Sequence, residues 1–153
     1  MVAEETEWKD VAHPTKFGKW ERLCGETSTG RLFGGGKSFV RYPVRVVYMI
    51  RDVAQVSERE RREAACRFLV SVRKKSFKRA VKRNRVKRQI REAWRKGKGG
   101  LAEELQACGK VMDVAFVFLG KELVESALIE KSVLEAIERL RFAVQSADVR
   151  AKE

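Results

Sequence analysis

The apolar positions of this chain recur with two different periods. In YPVRVVYMI, residues 42–50, Val44, Val46, Tyr48 and Ile50 alternate with Arg45, Val47 and Met49. A period of two predicts a strand. CRFLVSVRK, residues 66–74, does the same, with Phe68, Val70 and Val72 set against Leu69, Ser71 and Arg73. The charged stretch SERERREAA separates the two runs, and the spacing predicts an antiparallel pair joined by a long solvated loop. VMDVAFVFLG, residues 111–120, is nearly continuous apolar sequence, the pattern of a strand covered on both faces.

Helical spacing appears elsewhere. Val133, Ile137, Leu140 and Val144 recur within residues 122–146 and predict an amphipathic C-terminal helix. Residues 27–33 predict a short helix stopped by Gly34, Gly35 and Gly36. Residues 101–107 add one helical turn. In AVKRNRVKRQIREAWR, residues 80–95, about 100° per residue puts Val86, Ile90, Ala93 and Trp94 on one apolar stripe. Asn84, Arg88, Arg91 and Arg95 fall on the opposite side, with Arg85 and Lys87 on the flanks. Arg83 falls toward the core side and is expected at the start of the helix, reaching outward from there. The resulting order, α-β-β-α-β-α, is an α+β domain with helices packed on one sheet.

Domain organisation is simple at 153 residues. Residues 1–19 read as a flexible extension, 20–146 as a single domain and 147–153 as a tail. The three cysteines are widely spaced without a CxxC, and His13 is the only histidine. These counts argue against a disulfide framework or a zinc site and suit a reducing compartment. The polar, acidic start is unlike a signal peptide, and no apolar run approaches a membrane span. The expectation is a soluble cytoplasmic protein with no membrane partner.

Charge changes this picture. Of 34 Lys and Arg, fourteen lie in residues 73–98 beside one acid, Glu92, so the net charge of +13 resides there and the remainder is neutral. A solvated helix face normally mixes signs to form i,i+4 pairs. This one carries like charges that repel until a polyanion neutralises them, which points to nucleic acid. Phosphate contacts alone do not separate DNA from RNA. No leucine heptad follows the basic helix, which disfavours a zipper-type DNA reader. Its apolar stripe is too narrow for a membrane-surface helix and is better used against the sheet. No Ser/His/Asp set, paired carboxylates or metal-ligand cluster is evident, so neither a catalytic nor a metal-binding residue is assigned.

The order of residues is more specific than the charge. FLVSVRKKSFKRAVKRNRVKRQIREAWR, residues 68–95, closely resembles the signature of the bacterial ribonuclease P protein subunit. The matching positions are Lys74, Lys75, Arg83, Asn84, Arg85, Lys87, Arg88, Arg91 and Glu92, with Arg95 farther along the ridge. ERL at 21–23, RLF before the glycines, and GKSFVRYPVRVVY at 36–48 also look like that family. The likeness spans roughly residues 19–145. It implies an α-β-β-(β)-α-β-α two-layer sandwich, like the second domain of ribosomal protein S5. It also implies a left-handed β-α-β crossover around the basic helix, against the usual right-handed rule.

Functionally, the resemblance implies a subunit of an endoribonuclease holoenzyme that removes the 5′ leader of precursor tRNA. The catalytic RNA is expected to carry the reactive site and most of the Mg²⁺. The protein is expected to bind that RNA through Lys74, Lys75 and the Arg-Asn-Arg helix, and the single-stranded leader in a cleft. The cleft residues implied are Phe33, Val46, Tyr48, Ser71 and Arg73, although the spacing of Phe33, Val46 and Tyr48 equally suits core packing. Phe77 stands near the family's usual turn glycine, and one extra residue separates Lys75 from Arg83. The competing reading is a ribosomal or other structural RNA-binding protein with no part in cleavage.

Overall fold

A computed structural model describes residue 23, residues 26–56 and residues 65–152. The extension expected at 1–19 and most of the connection at 52–65 lie outside these. The elements are α1 (Glu26–Gly35), β1 (Lys37–Arg41), β2 (Val44–Asp52), β3 (Cys66–Val72), α2 (Ala80–Gly97), α3 (Gly99–Cys108), β4 (Lys110–Phe118) and α4 (Ser126–Lys152), with one 3₁₀ turn at Val53–Gln55.

The four strands run in the order β1-β2-β4-β3. β2 is antiparallel to β4 with Val46 opposite Phe116, and β3 is parallel to β4 with Phe68 opposite Val114. The antiparallel β2–β3 pair that their spacing predicted does not form; β4 inserts between them. The physical reason is visible in β4 itself, where all nine residues are buried. A strand apolar on both sides belongs at the centre of a sheet covered on both faces.

β1 is an additional hairpin strand, in register with β2 from Lys37 opposite Tyr48 to Arg41 opposite Val44. Only Phe39 of its five residues is buried, too little periodicity to read. α3 runs for ten residues rather than one turn and ends at Gly109, whose φ of 66° suits a residue without a Cβ. α4 continues to Lys152, so the expected tail is helical nearly to its end.

The sheet's two faces are occupied differently. Val44, Val46, Phe68, Val70, Met112, Val114, Phe116 and Phe118 join the main core beneath α2, α3 and α4. Leu32 of α1 packs with Leu23, Val47 and Ala115 on the other face, with Met49 and Leu69 alongside. The parallel pair β3–β4 is bridged by α2 and α3, which gives the β-α-β crossover that carries the basic segment.

Candidate nucleic-acid interface

The stripe predicted for α2 is the one it buries. Val86 and Ile90 are fully covered, and Ala93 and Trp94 nearly so. Trp94 lies flat on Phe68 of β3, with ring centroids 4.5 Å apart and planes 7° from parallel, and meets Phe116 of β4 edge-on. Buried aromatic pairs of this kind add roughly 0.5–1.5 kcal/mol beyond area burial. They also fix the rotation of the helix about its axis. At its C-terminal end, a Cβ on Gly97 would stand 2.7 Å from Leu134 and 2.8 Å from Ile137. The absence of a side chain lets α2 approach α4 closely there.

With the rotation fixed, Asn84, Arg85, Arg88 and Arg91 are exposed, and Lys87 and Arg95 are half-buried. Lys74 and Lys75, in the turn after β3, are exposed as well. Arg95 donates to Glu92 at 2.5 and 3.1 Å. That hydrogen bond holds the Glu92 carboxyl below its usual range and raises the Arg95 guanidinium. Glu92 therefore stays ionised near neutrality and offsets one charge of the ridge.

Arg83 behaves differently from its neighbours and from its expectation. It lies in the first turn of α2, half-buried, and its Nη1 donates to the carbonyls of Phe77 at 2.7 Å and Lys78 at 2.9 Å. It folds back to hold the approach to the helix instead of reaching outward. Phe77 is nearly buried and stacks on Phe118 with centroids 5.8 Å apart. The position near the family's turn glycine thus anchors the turn in the core. Beside it, Lys78, Arg79, Lys82 and Lys121 line a shallow depression of about 430 Å³. Lys121 was not legible as part of this surface, because the exit of β4 brings it there from some forty residues away.

The residues expected to form a leader cleft divide between the two faces of the sheet. Ser71 shares the face of Leu69 by alternation, and Arg73 follows it, exposed, just past β3. Phe33 projects from α1, on the same side, with 47% of its surface exposed. Val46, however, is fully buried in the main core on the opposite face, and Tyr48 packs against that core. Val46 does not reach α1, whereas Tyr48 lines one groove with Gly35 at the end of that helix. Packed beneath α1 are Val47 and Met49, one residue along from Val46 and Tyr48 and therefore on the other face of the strand.

The same α1-side face holds a buried charge cluster. Arg67 binds both oxygens of Asp113 at 2.9 Å, and Arg51 approaches one of them at 3.3 Å. Bidentate geometry and a second guanidinium keep this carboxylate satisfied although only 2% of Asp113 is exposed. Among the described residues no three His, Cys, Asp or Glu side chains gather to hold a metal. The carboxylates of Asp113, Glu92 and Glu104 are each occupied by arginine. No described helix is long and apolar enough to cross a membrane.

Residues 17–141 match the family model described as ribonuclease P. Ribonuclease P protein components from two Porphyromonas gingivalis strains, ATCC 33277 and W83, are each 40% identical over 139 residues, covering 90% of this chain and 96% of theirs. The fold resembles that of the RNase P protein from Thermotoga maritima, with a TM-score of 0.56 and 22% identity over 78% of this chain and 96% of that one. The Staphylococcus aureus RNase P protein gives 0.52 and 20%, over 78% and 94%.

Proposed function

This chain belongs to the ribonuclease P protein family, and from that premise we propose how it divides its surface between two RNAs. The exposed ridge of α2, with Lys74 and Lys75, binds the phosphates of the catalytic RNA. Structured RNA suits such a ridge, since its deep major groove resists reading by side chains and leaves phosphates as the main handle. The α1-side face of the sheet, with Phe33, Ser71, Arg73 and Met49, takes the single-stranded leader of precursor tRNA. Single strands want apolar and aromatic surfaces bordered by cations. The RNA subunit carries the reactive site and the Mg²⁺, and the protein contributes docking and substrate affinity in the cytoplasm.

One observation carries this reading. The cations of α2 are held outward by a buried stripe and a stacked tryptophan, so the ridge is a preset surface and not a loose basic tail. Arg83 is placed differently from the rest of its motif: it supports the surface by holding its turn. The reading of a structural RNA-binding protein without a role in cleavage has no separate observation in its favour.

The test is the salt dependence of binding to a bacterial ribonuclease P RNA. Changing Arg85, Arg88 and Arg91 together to Ala should lower the slope of log K against log salt by roughly two to three, at about 0.7–0.9 per lost phosphate contact. An unchanged slope would show that the ridge is merely solvated.

A further inference from the structure

The groove that Tyr48 shares with the end of α1 combines apolar and cationic walls. β1 begins opposite Tyr48, so the last four residues of β2 extend beyond it and leave a step against α4. Tyr48, Met49 and Phe142 line the resulting space of about 480 Å³, together with Lys37, Lys110 and Arg139. Lys110 is ion-paired with Asp52. The Arg139 guanidinium sits 4.5 Å above the Phe39 ring, a contact that leaves its charge in place. Lys37 and Arg139 are therefore the excess positive charge of the groove. Phe142 is 68% exposed, an apolar wall with nothing packed over it.

One segment of this chain has the complementary chemistry. Residues 4–10, EETEWKD, hold four acids, one base and Trp8. Fifteen residues separate Trp8 from Leu23, whose amide donates to the Phe68 carbonyl at 2.9 Å. A chain of that length reaches up to about 50 Å at roughly 3.3 Å per residue. α1, which ends at the groove with Gly35, is about 15 Å long at 1.5 Å per residue, so the segment can reach the groove of its own molecule. Such a tether raises the local concentration to about the millimolar range, and a weak contact is then sufficient. The ridge of α2 would attract the same acids. However, Val81 is the one large exposed hydrophobic within residues 73–98, so Trp8 finds no apolar wall there.

We propose that residues 4–10 dock in this groove, with Trp8 against Phe142 and the acids toward Lys37 and Arg139, and compete there with the leader of precursor tRNA. The competition rests on the leader reading above, because Met49 belongs to both surfaces; the docking does not. An acidic segment with an indole offers the same two handles as a single strand of RNA, negative charge and a flat ring. While docked, it lowers the leader's apparent affinity in proportion to the fraction of molecules left open, so weakly held leaders are disfavoured.

The docking is tested in the ¹⁵N-labelled full chain without RNA. Trp8→Ala should shift the amides of residues 48–50 and 139–143, and Phe142→Ala should shift the indole N–H of Trp8, both independently of protein concentration. Groove amides unmoved by Trp8→Ala, shifts confined to residues 73–98, or shifts that vanish on dilution would overturn the proposal, the last two by placing the segment on the ridge or on a second copy. The competition is tested in the holoenzyme assembled on a bacterial ribonuclease P RNA. Changing Glu4, Glu5 and Glu7 together to Gln, or Trp8 to Ala, should tighten binding of leader-bearing precursor tRNA by roughly three- to ten-fold and leave mature tRNA unaffected. Groove shifts without that gain would uphold the docking and overturn the competition, and with it the leader reading at this groove.

Discussion

Arg83 and Arg85 stand two positions apart in one motif and do different physical work. Arg83 is half-buried with two carbonyls on one nitrogen, and Arg85 is exposed. Hydrogen bonds to a charged group contribute roughly 1.5–3 kcal/mol, and partial exposure reduces that figure. Arg83→Ala should therefore cost about 1–2 kcal/mol and lower Tm by roughly 3–6 °C, whereas Arg85→Ala should leave thermal unfolding unchanged and act only on RNA. Equal Tm values for the two variants would remove Arg83 from its supporting role. The helical wheel had already set Arg83 on the core side, yet sequence alone could not supply the Phe77 and Lys78 carbonyls it meets. Residue-level legibility also failed at Val46, which is fully buried in the core. Family likeness locates a strand well but its alternation poorly, and β2 is apolar on both faces around Val46 and Val47, so polarity could not set the register.

At the scale of elements, periodicity reported burial faithfully and pairing not at all. The four buried positions of α2, and four of those buried in α4 (Val133, Ile137, Leu140 and Val144), were legible because each helix has one covered side. β4 announced its central place by lacking a polar face, but its insertion between β2 and β3 depends on contacts distant in sequence. Asp113 is the one acid within β4, and it is held by guanidiniums from β2 and β3, one on each side. Removing one partner of a buried ion pair costs about 3–5 kcal/mol. Asp113→Ala should show a loss of that order in urea unfolding, and a loss below 1 kcal/mol would mean the cluster is dispensable.

On α2, Glu92 masks Arg95. Glu92→Gln should strengthen RNA binding and steepen its salt slope by up to about one. Because the Glu92 carboxyl is held below its ordinary value of 4.5, the ion pair is present above that value and is lost as pH falls through the lowered one. Wild type and variant should thus differ near neutrality and converge only in acid. Identical slopes at pH 7 would show that Arg95 does not face the RNA.

For the whole molecule, the decisive feature is that its charge is carried by one oriented region. The net +13 lies within residues 73–98, and the aromatic packing of Trp94 turns the exposed part of that charge away from the core. Such an arrangement is costly for the free protein, through repulsion along the ridge, and favourable in a ribonucleoprotein. That much was legible from composition and spacing together. The α1-side face was not, since it is assembled from separate elements.

The most direct test is reconstitution. Added to a bacterial ribonuclease P RNA at low Mg²⁺, the full chain should stimulate removal of the 5′ leader from a precursor tRNA. Failure to stimulate, beside an active ribonuclease P protein from another bacterium under the same conditions, would contradict the account.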